Sequence, residues 1–213
     1  LEISFTDYDQ RKAAKDPALS SALNDLEDIA SINRREHFSL IYLLRSESGI
    51  DRIVLPVHGY GLWSTLYGFL ALEADGNTVS GITFYEHTET AGLGGEVDNP
   101  AWKAKWPGKQ IYASNGGVAM RVIKGAVDPN AAEAIHQVDG LSGATLTSKG
   151  VENLIAYWLG DEGYGPLLEA LEVLVVVVHV HVVLLRKSRR VGGQRGDGGC
   201  GLVDHAPLGF DGG

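Results

Sequence analysis

The sequence predicts an α+β fold, a mostly antiparallel sheet flanked by helices in a single domain. Three observations carry this expectation. Between His37 and Glu86 four extended segments follow one another with no helical pattern between them. A polar, helix-like stretch precedes them over 9–36, and the clearest amphipathic period follows over 149–160. Strands joined directly to strands, with helices at the two ends, disfavour a doubly wound parallel sheet.

In order along the chain, 9–36 predicts one or two polar helices interrupted at Pro17, with Leu23, Leu26, Ile29 and Ile32 as buried positions. His37 to Leu44 reads as a strand rich in Leu, Ile and Tyr, and 53–57 and 66–73 as two more. A fourth, 78–86, is entered through the turn Asp75-Gly76-Asn77. Pro100 to Trp106 predicts a short helix stopped by Pro107-Gly108, and 119–124 a further strand. In the last helix Val151, Leu154, Ile155, Trp158 and Leu159 form one apolar face. Thr147 and Ser148 are its expected caps and Gly160 its stop.

The chain has 213 residues, a size for one domain plus appendages, and it carries 18 basic and 27 acidic side chains, a net charge of −9. So acidic a surface repels nucleic acid, and no nucleic-acid partner is expected. The single cysteine, Cys200, excludes an intrachain disulfide and a cysteine metal site, and no metal ligand set is assigned. Composition divides the chain in three. Residues 1–172 hold 13 basic and 24 acidic side chains and read as folded protein. Residues 173–185 are Val-rich without a carboxylate, Lys or Arg, and 186–213 turn basic and then glycine-rich. These thirteen residues, with His179 and His181 in their middle, fall short of the roughly 20 that span a bilayer as a helix. This atypical tail is expected to be non-native to the domain, and no function is assigned to it; His179 and His181 are at most a chance metal-binding pair. The opening at Leu1 without Met suggests a fragment or processed form.

Chemistry concentrates in three segments dense in glycine, hydroxyl and aromatic residues: 58–65 (HGYGLWST), 86–96 (EHTETAGLGGE) and 139–148 (DGLSGATLTS). The third has the best rationale, because small residues before a helix start expose backbone N–H groups to an anion such as phosphate. An ordinary capped loop is the alternative. Dinucleotide fingerprints fail: Val97 and Ser64 stand where G-x-G-x-x-G needs its last glycine, and no G-x-x-x-x-G-K-[ST] occurs. Ser142 lacks a G-x-S-x-G context. His58, His87 and His136 are scattered, and Glu86, Glu89 and Glu96 are explained by a solvated turn, so no catalytic residue is assigned. The Trp102-Lys103-Ala104-Lys105-Trp106 segment reads as a surface helix or a partner-facing lip.

Asp139-Gly140-Leu141-Ser142-Gly143-Ala144-Thr145 resembles the flavinylation motif D-x-x-[ST]-G-A-T of bacterial FMN-binding domains. With 55–65, 83–100, 106–109 and 136–139 in this order, residues from about 5 to 168 resemble the C subunits of sodium-translocating NADH:quinone reductases. The resemblance implies a single FMN-binding domain whose Thr145 hydroxyl carries FMN in a phosphoester, made from FAD by a flavin transferase with release of AMP. It further implies an electron carrier within a translocating oxidoreductase, partnered by the other subunits. Its location would be the periplasmic face of the bacterial inner membrane, behind an N-terminal anchor absent from this chain. Around Thr145, the expected phosphate cradle is Ser142, Gly143 and Thr147 with Lys124 adding charge, and Ala144 is a further expected cofactor-binding residue. Trp63, Leu93 and Leu141 are the expected ring walls, a plain core role being the alternative for Trp63, and Thr90, Gly92 and Gly94 the polar contacts. Ala91 departs from the family, which usually has Pro there. The domain reading is 1–50 for an N-terminal helical segment and first strand, 51–172 for the FMN-binding domain and 173–213 for the tail. The rivals are the G subunit of an Rnf-type electron transport complex and a non-redox assembly domain in which Thr145 stays bare.

Overall fold

A computed structural model describes residues 8–47 and 49–171, together with the backbone of 181–186. After a one-turn helix α1 (Gln10–Ala13), two short strands β1 (Ser20–Ala22) and β2 (Arg34–Glu36) pair antiparallel, Ser20 opposite Glu36. Four consecutive strands then form an antiparallel meander: β3 (Phe38–Ser46), β4 (Gly49–Tyr60), β5 (Thr65–Glu73) and β6 (Val79–Glu86). The period-2 pattern decides their faces: in β5, Leu66, Leu70 and Leu72 turn inward while Tyr67 and Phe69 turn outward. A one-turn helix α2 (Pro100–Lys103) follows, begun by Asn99, whose side chain accepts the Ala101 N–H, and by Pro100 at the first helical position. Two short strands, β7 (Arg121–Ile123) and β8 (Gln137–Asp139), pair parallel and lead into the long helix α3 (Thr145–Trp158) and then α4 (Gly165–Leu171). Beyond these the backbone of β9 (His181–Arg186) lies antiparallel to β3 at the sheet edge. The remaining residues of the atypical tail lie outside those described.

Helix α3 covers the inner face of the sheet with Val151, Leu154, Ile155 and Trp158, all fully buried. Two glycines allow the approach. A Cβ on Gly59 would lie 2.9 Å from the Leu154 Cβ, and one on Gly150 would lie 2.4 Å from the Tyr60 carbonyl oxygen. No described helix is long and apolar enough to cross a membrane.

The sheet, the helix α2 and the strand near 119–124 agree with the sequence expectation; three other readings are corrected. Residues 9–36 are not mainly helical. The Asn24 carboxamide accepts the N–H groups of Leu26 and Glu27, the Asp28 carboxylate accepts those of Ile32 and Asn33, and Ser31 and Asn33 adopt positive φ. Such local side-chain bonds compete with the helix ladder and win here. Leu23 and Ile32 pack against the core, but Ile29 is exposed and Leu26 is 92% exposed. Helix α3 begins at Thr145, four residues earlier than its apolar period suggests, so Thr147 and Ser148 lie buried in its first turns rather than capping it. Trp102 and Trp106 are core residues four apart on one side of their segment, with ring centroids 5.4 Å apart, not a surface lip.

At the far end of α3 the Trp158 Nε1 donates to the His58 carbonyl oxygen at 2.6 Å, and the His58 ring lies between those of Tyr67 and Trp158. Burial pushes the His58 pKa down from 6.5 to about 4. The native state therefore holds neutral His58 while the unfolded chain takes up a proton at 6.5. Its contribution is complete above pH 6.5 and is lost as pH falls toward 4, amounting to about 2 kcal/mol between pH 7 and 4.5. Urea midpoints across this range should fall less steeply for His58→Phe than for the unsubstituted chain.

Candidate functional site

The turn Gly61–Ser64 closes the β4–β5 hairpin, with the Gly61 N–H donating to the Ser64 carbonyl at 2.8 Å. A second loop leaves β6 at Glu86. There the Thr90 carbonyl accepts the N–H groups of Leu93 and Gly95, and Gly92 sits at φ +75°, a left-handed position that suits glycine. The third loop runs from β8 into α3. Its Asp139 latches three neighbours: Oδ1 accepts the Val127 N–H at 2.9 Å, Oδ2 the Lys105 ammonium at 2.5 Å, and the carbonyl the Trp102 Nε1 at 2.8 Å. Burial would raise the Asp139 pKa, but Lys105 and the Val127 N–H outweigh it and hold the carboxyl below its ordinary value. The first residue of the motif is thus committed to holding the loop in place.

Further along that loop the Leu141 N–H donates to the Ser148 Oγ at 2.9 Å, and Gly143 takes φ +70°. A Cβ on Gly143 would lie 2.9 Å from the Leu93 Cδ2, so the second and third loops touch there. Thr145, the first residue of α3, is exposed, and among the described residues no side chain caps the helix. Its first-turn N–H groups therefore remain available, with the positive end of the helix dipole behind them.

The three loops meet on a residue that the sequence reading assigned to a solvated turn. Glu89 is buried. Its Oε1 accepts the N–H groups of Leu62, Trp63 and Ser64 at 3.0, 2.9 and 3.2 Å, and its Oε2 accepts the Thr147 hydroxyl at 2.7 Å. Burial opposes the charge, yet the Thr147 hydroxyl and the three N–H donors prevail and hold the carboxyl below its ordinary value of 4.5. Behind it the Glu89 N–H donates to His87 Nδ1 at 3.2 Å, and His87 Nε2 meets Asp98 Oδ2 at 2.8 Å. Of the other two glutamates, Glu86 accepts from Nη1 and Nη2 of Arg11 and Glu96 accepts from Asn99.

The residues expected around Thr145 separate into two sets. Ser142, Gly143, Thr90, Gly92, Leu93 and Lys124 are exposed beside it or on the adjoining loops, with Lys124 next to Gly140. Trp63 is 64% exposed, which removes the alternative of a core role. Leu141, Ala144, Thr147 and Gly94 are buried beneath the loops, so Leu141 is part of the supporting floor and not an exposed wall. Leu146, absent from the expected set, is 62% exposed on the first turn of α3. Its signal was its position directly after Thr145, off the apolar face of the helix.

The three loops fall within residues 61–160, which the family model described as FMN-binding domain matches. The C subunit of the Na(+)-translocating NADH-quinone reductase of Pseudomonas aeruginosa is 62% identical over 161 residues, which are 76% of this chain and 62% of that protein. The corresponding protein of Vibrio vulnificus is 55% identical over the same length and shares. The crystal structure of Shewanella oneidensis NqrC matches with a TM-score of 0.73 at 40% identity, covering 79% of this chain and 76% of that one. This chain belongs to the family of Na(+)-translocating NADH-quinone reductase C subunits. It spans about 62% of the length of the curated relatives it matches.

Proposed function

We infer that this chain is the FMN-carrying domain of a sodium-translocating NADH-quinone reductase, with the FMN phosphate joined to the Thr145 hydroxyl and the domain relaying electrons within the complex. The observation that carries the reading is Thr145 itself, exposed as the first residue of an uncapped 14-residue helix behind the left-handed Gly143. The residues fit the group. The N–H groups of the first turn of α3 and the Ser142 hydroxyl would receive phosphate oxygens, with the Lys124 ammonium adding positive charge. Trp63, Leu93 and Leu146 offer exposed apolar surface for a planar ring, with Thr90 and the backbone at Gly92 for polar contacts. FMN, when bound, supplies the redox chemistry, and the protein supplies position and electrostatics.

Attachment requires the Thr145 oxygen to form a bond to the FMN phosphorus of FAD while the pyrophosphate bond breaks and AMP departs. A threonine hydroxyl is a weak nucleophile, and its proton leaves to a base of the flavin transferase. The partners are then that transferase during maturation and the other reductase subunits afterwards, at the periplasmic face of the bacterial inner membrane. The names of the relatives favour this complex over an Rnf-type one. Co-expression with a flavin transferase, followed by peptide mass spectrometry, should give an FMN-sized adduct on the Thr145 peptide and none in Thr145→Ala. A bare Thr145 peptide, where a known acceptor domain is labelled, supports the assembly-domain alternative instead.

A further inference from the structure

We propose that Glu89 is a positioning residue for flavin attachment, resting on the Thr145 reading above: its carboxylate locks the 61–64 turn to the start of α3, so that Thr145 stands clear while Thr147 does not. The threonines of the Thr145-Leu146-Thr147 segment are chemically identical, yet the structure divides their roles. Thr147 is fully buried with its hydroxyl committed to Glu89 Oε2 at 2.7 Å. Thr145, two residues earlier, is exposed at the rim.

The surroundings of the carboxylate are shaped for it from two sides. A Cβ on Gly61 would lie 2.7 Å from Glu89 Oε1, and one on Gly94 would lie 2.6 Å from Oε2 and 2.5 Å from the Thr147 Oγ1. All four donors that meet the carboxylate come from outside its own loop, three from the turn and one from α3. Four charge-assisted hydrogen bonds into a buried carboxylate define one arrangement of the two segments. An aspartate is one methylene too short to span both. A glutamine retains an acceptor for the turn and an amide that can donate to the Thr147 oxygen.

The test follows labelling of the full 213-residue chain by purified flavin transferase with FAD, measured as adduct mass against time at several acceptor concentrations. Glu89→Ala should lower kcat for labelling about 30-fold, with KM for the acceptor domain changed less than about threefold, because a misplaced hydroxyl impairs reaction more than encounter. Glu89→Gln should recover to within about fivefold of the unsubstituted chain, and Thr147→Val should lose about tenfold by removing the helix side of the junction. Circular dichroism melts identify which variants fold; should Glu89→Ala not fold, Thr147→Val decides. Folded variants labelled at the unsubstituted rate, or a loss confined to KM, overturn the proposal alone. An unlabelled unsubstituted chain overturns the Thr145 reading and the proposal with it.

Discussion

Replacing Arg35 with methionine should cost about 3–5 kcal/mol of unfolding free energy, because it leaves the Glu36 carboxylate buried and without its counter-ion. Glu36 is fully buried. Its Oε1 accepts from Arg35 Nη1, from Gln10 Nε2 at 2.7 Å and from the Ser39 hydroxyl at 2.9 Å. The guanidinium in turn lies 4.3 Å over the Trp158 ring and donates to Ser39 Oγ at 2.6 Å. The pair as a whole adds little, since taking two charges out of water offsets most of their attraction; removing one partner forfeits only the compensating half. Arg35→Met/Glu36→Gln should therefore be more stable than Arg35→Met alone, as the glutamine keeps an acceptor for Gln10 and Ser39 without a buried charge. Urea unfolding at pH 7 of the three chains gives the ordering. A loss under about 1 kcal/mol in the single variant would mean that Gln10 and Ser39 hold the Glu36 side chain without the guanidinium.

Gly150→Leu should be strongly destabilising, and helix propensity alone gives the wrong sign. Leucine exceeds glycine by about 1 kcal/mol in a helix interior. Here, however, a Cβ would lie 2.4 Å from the Tyr60 carbonyl oxygen and 3.0 Å from the Gly61 Cα. Both obstructing atoms are backbone and cannot swing aside, which places the overpacking cost near 4 kcal/mol and the net loss near 3 kcal/mol. The relief available is a shift of α3 away from β4, which draws Thr147 from Glu89 and moves Thr145 with it. The chain should then show both a lowered urea midpoint and a loss of covalent flavin. The same midpoint loss with undiminished labelling would separate the packing of α3 from the presentation of Thr145.

The sheet was legible because β3, β5 and most of β4 repeat their burial every second residue, and the helix because Val151, Leu154, Ile155 and Trp158 recur on one side. What escaped depended on partners distant in sequence. Glu89 stands among polar residues in Glu86-His87-Thr88-Glu89, and nothing local separates a carboxylate facing water from one facing three N–H groups 25 to 27 residues away. The available hint was glycine at 61 and 94, in two segments both dense in hydroxyls, where a carboxylate between them could be enclosed. Residues 9–36 failed for a different reason. Asn24 and Asp28 make turns in competition with helix, and their effect depends on local geometry that a periodicity count ignores. Trp102 and Trp106 were obscured by the lysines between them, although their spacing of four already placed both on one side of a helical turn.

The separations along the chain also order the assembly of the molecule in time. Strands β3 to β6 join through short hairpin connections and close small loops, the kind of contact that forms early. The Glu89–Thr147 hydrogen bond bridges 58 residues, and the Trp158 bond to the His58 carbonyl bridges 100. Closures of that span carry the larger entropic cost and follow once α3 has docked. A chain halted after β6 thus lacks α3 and the rim for Thr145, so the attachment proposed at Thr145 would report on the finished fold, and an adduct there would count molecules that have folded to the end.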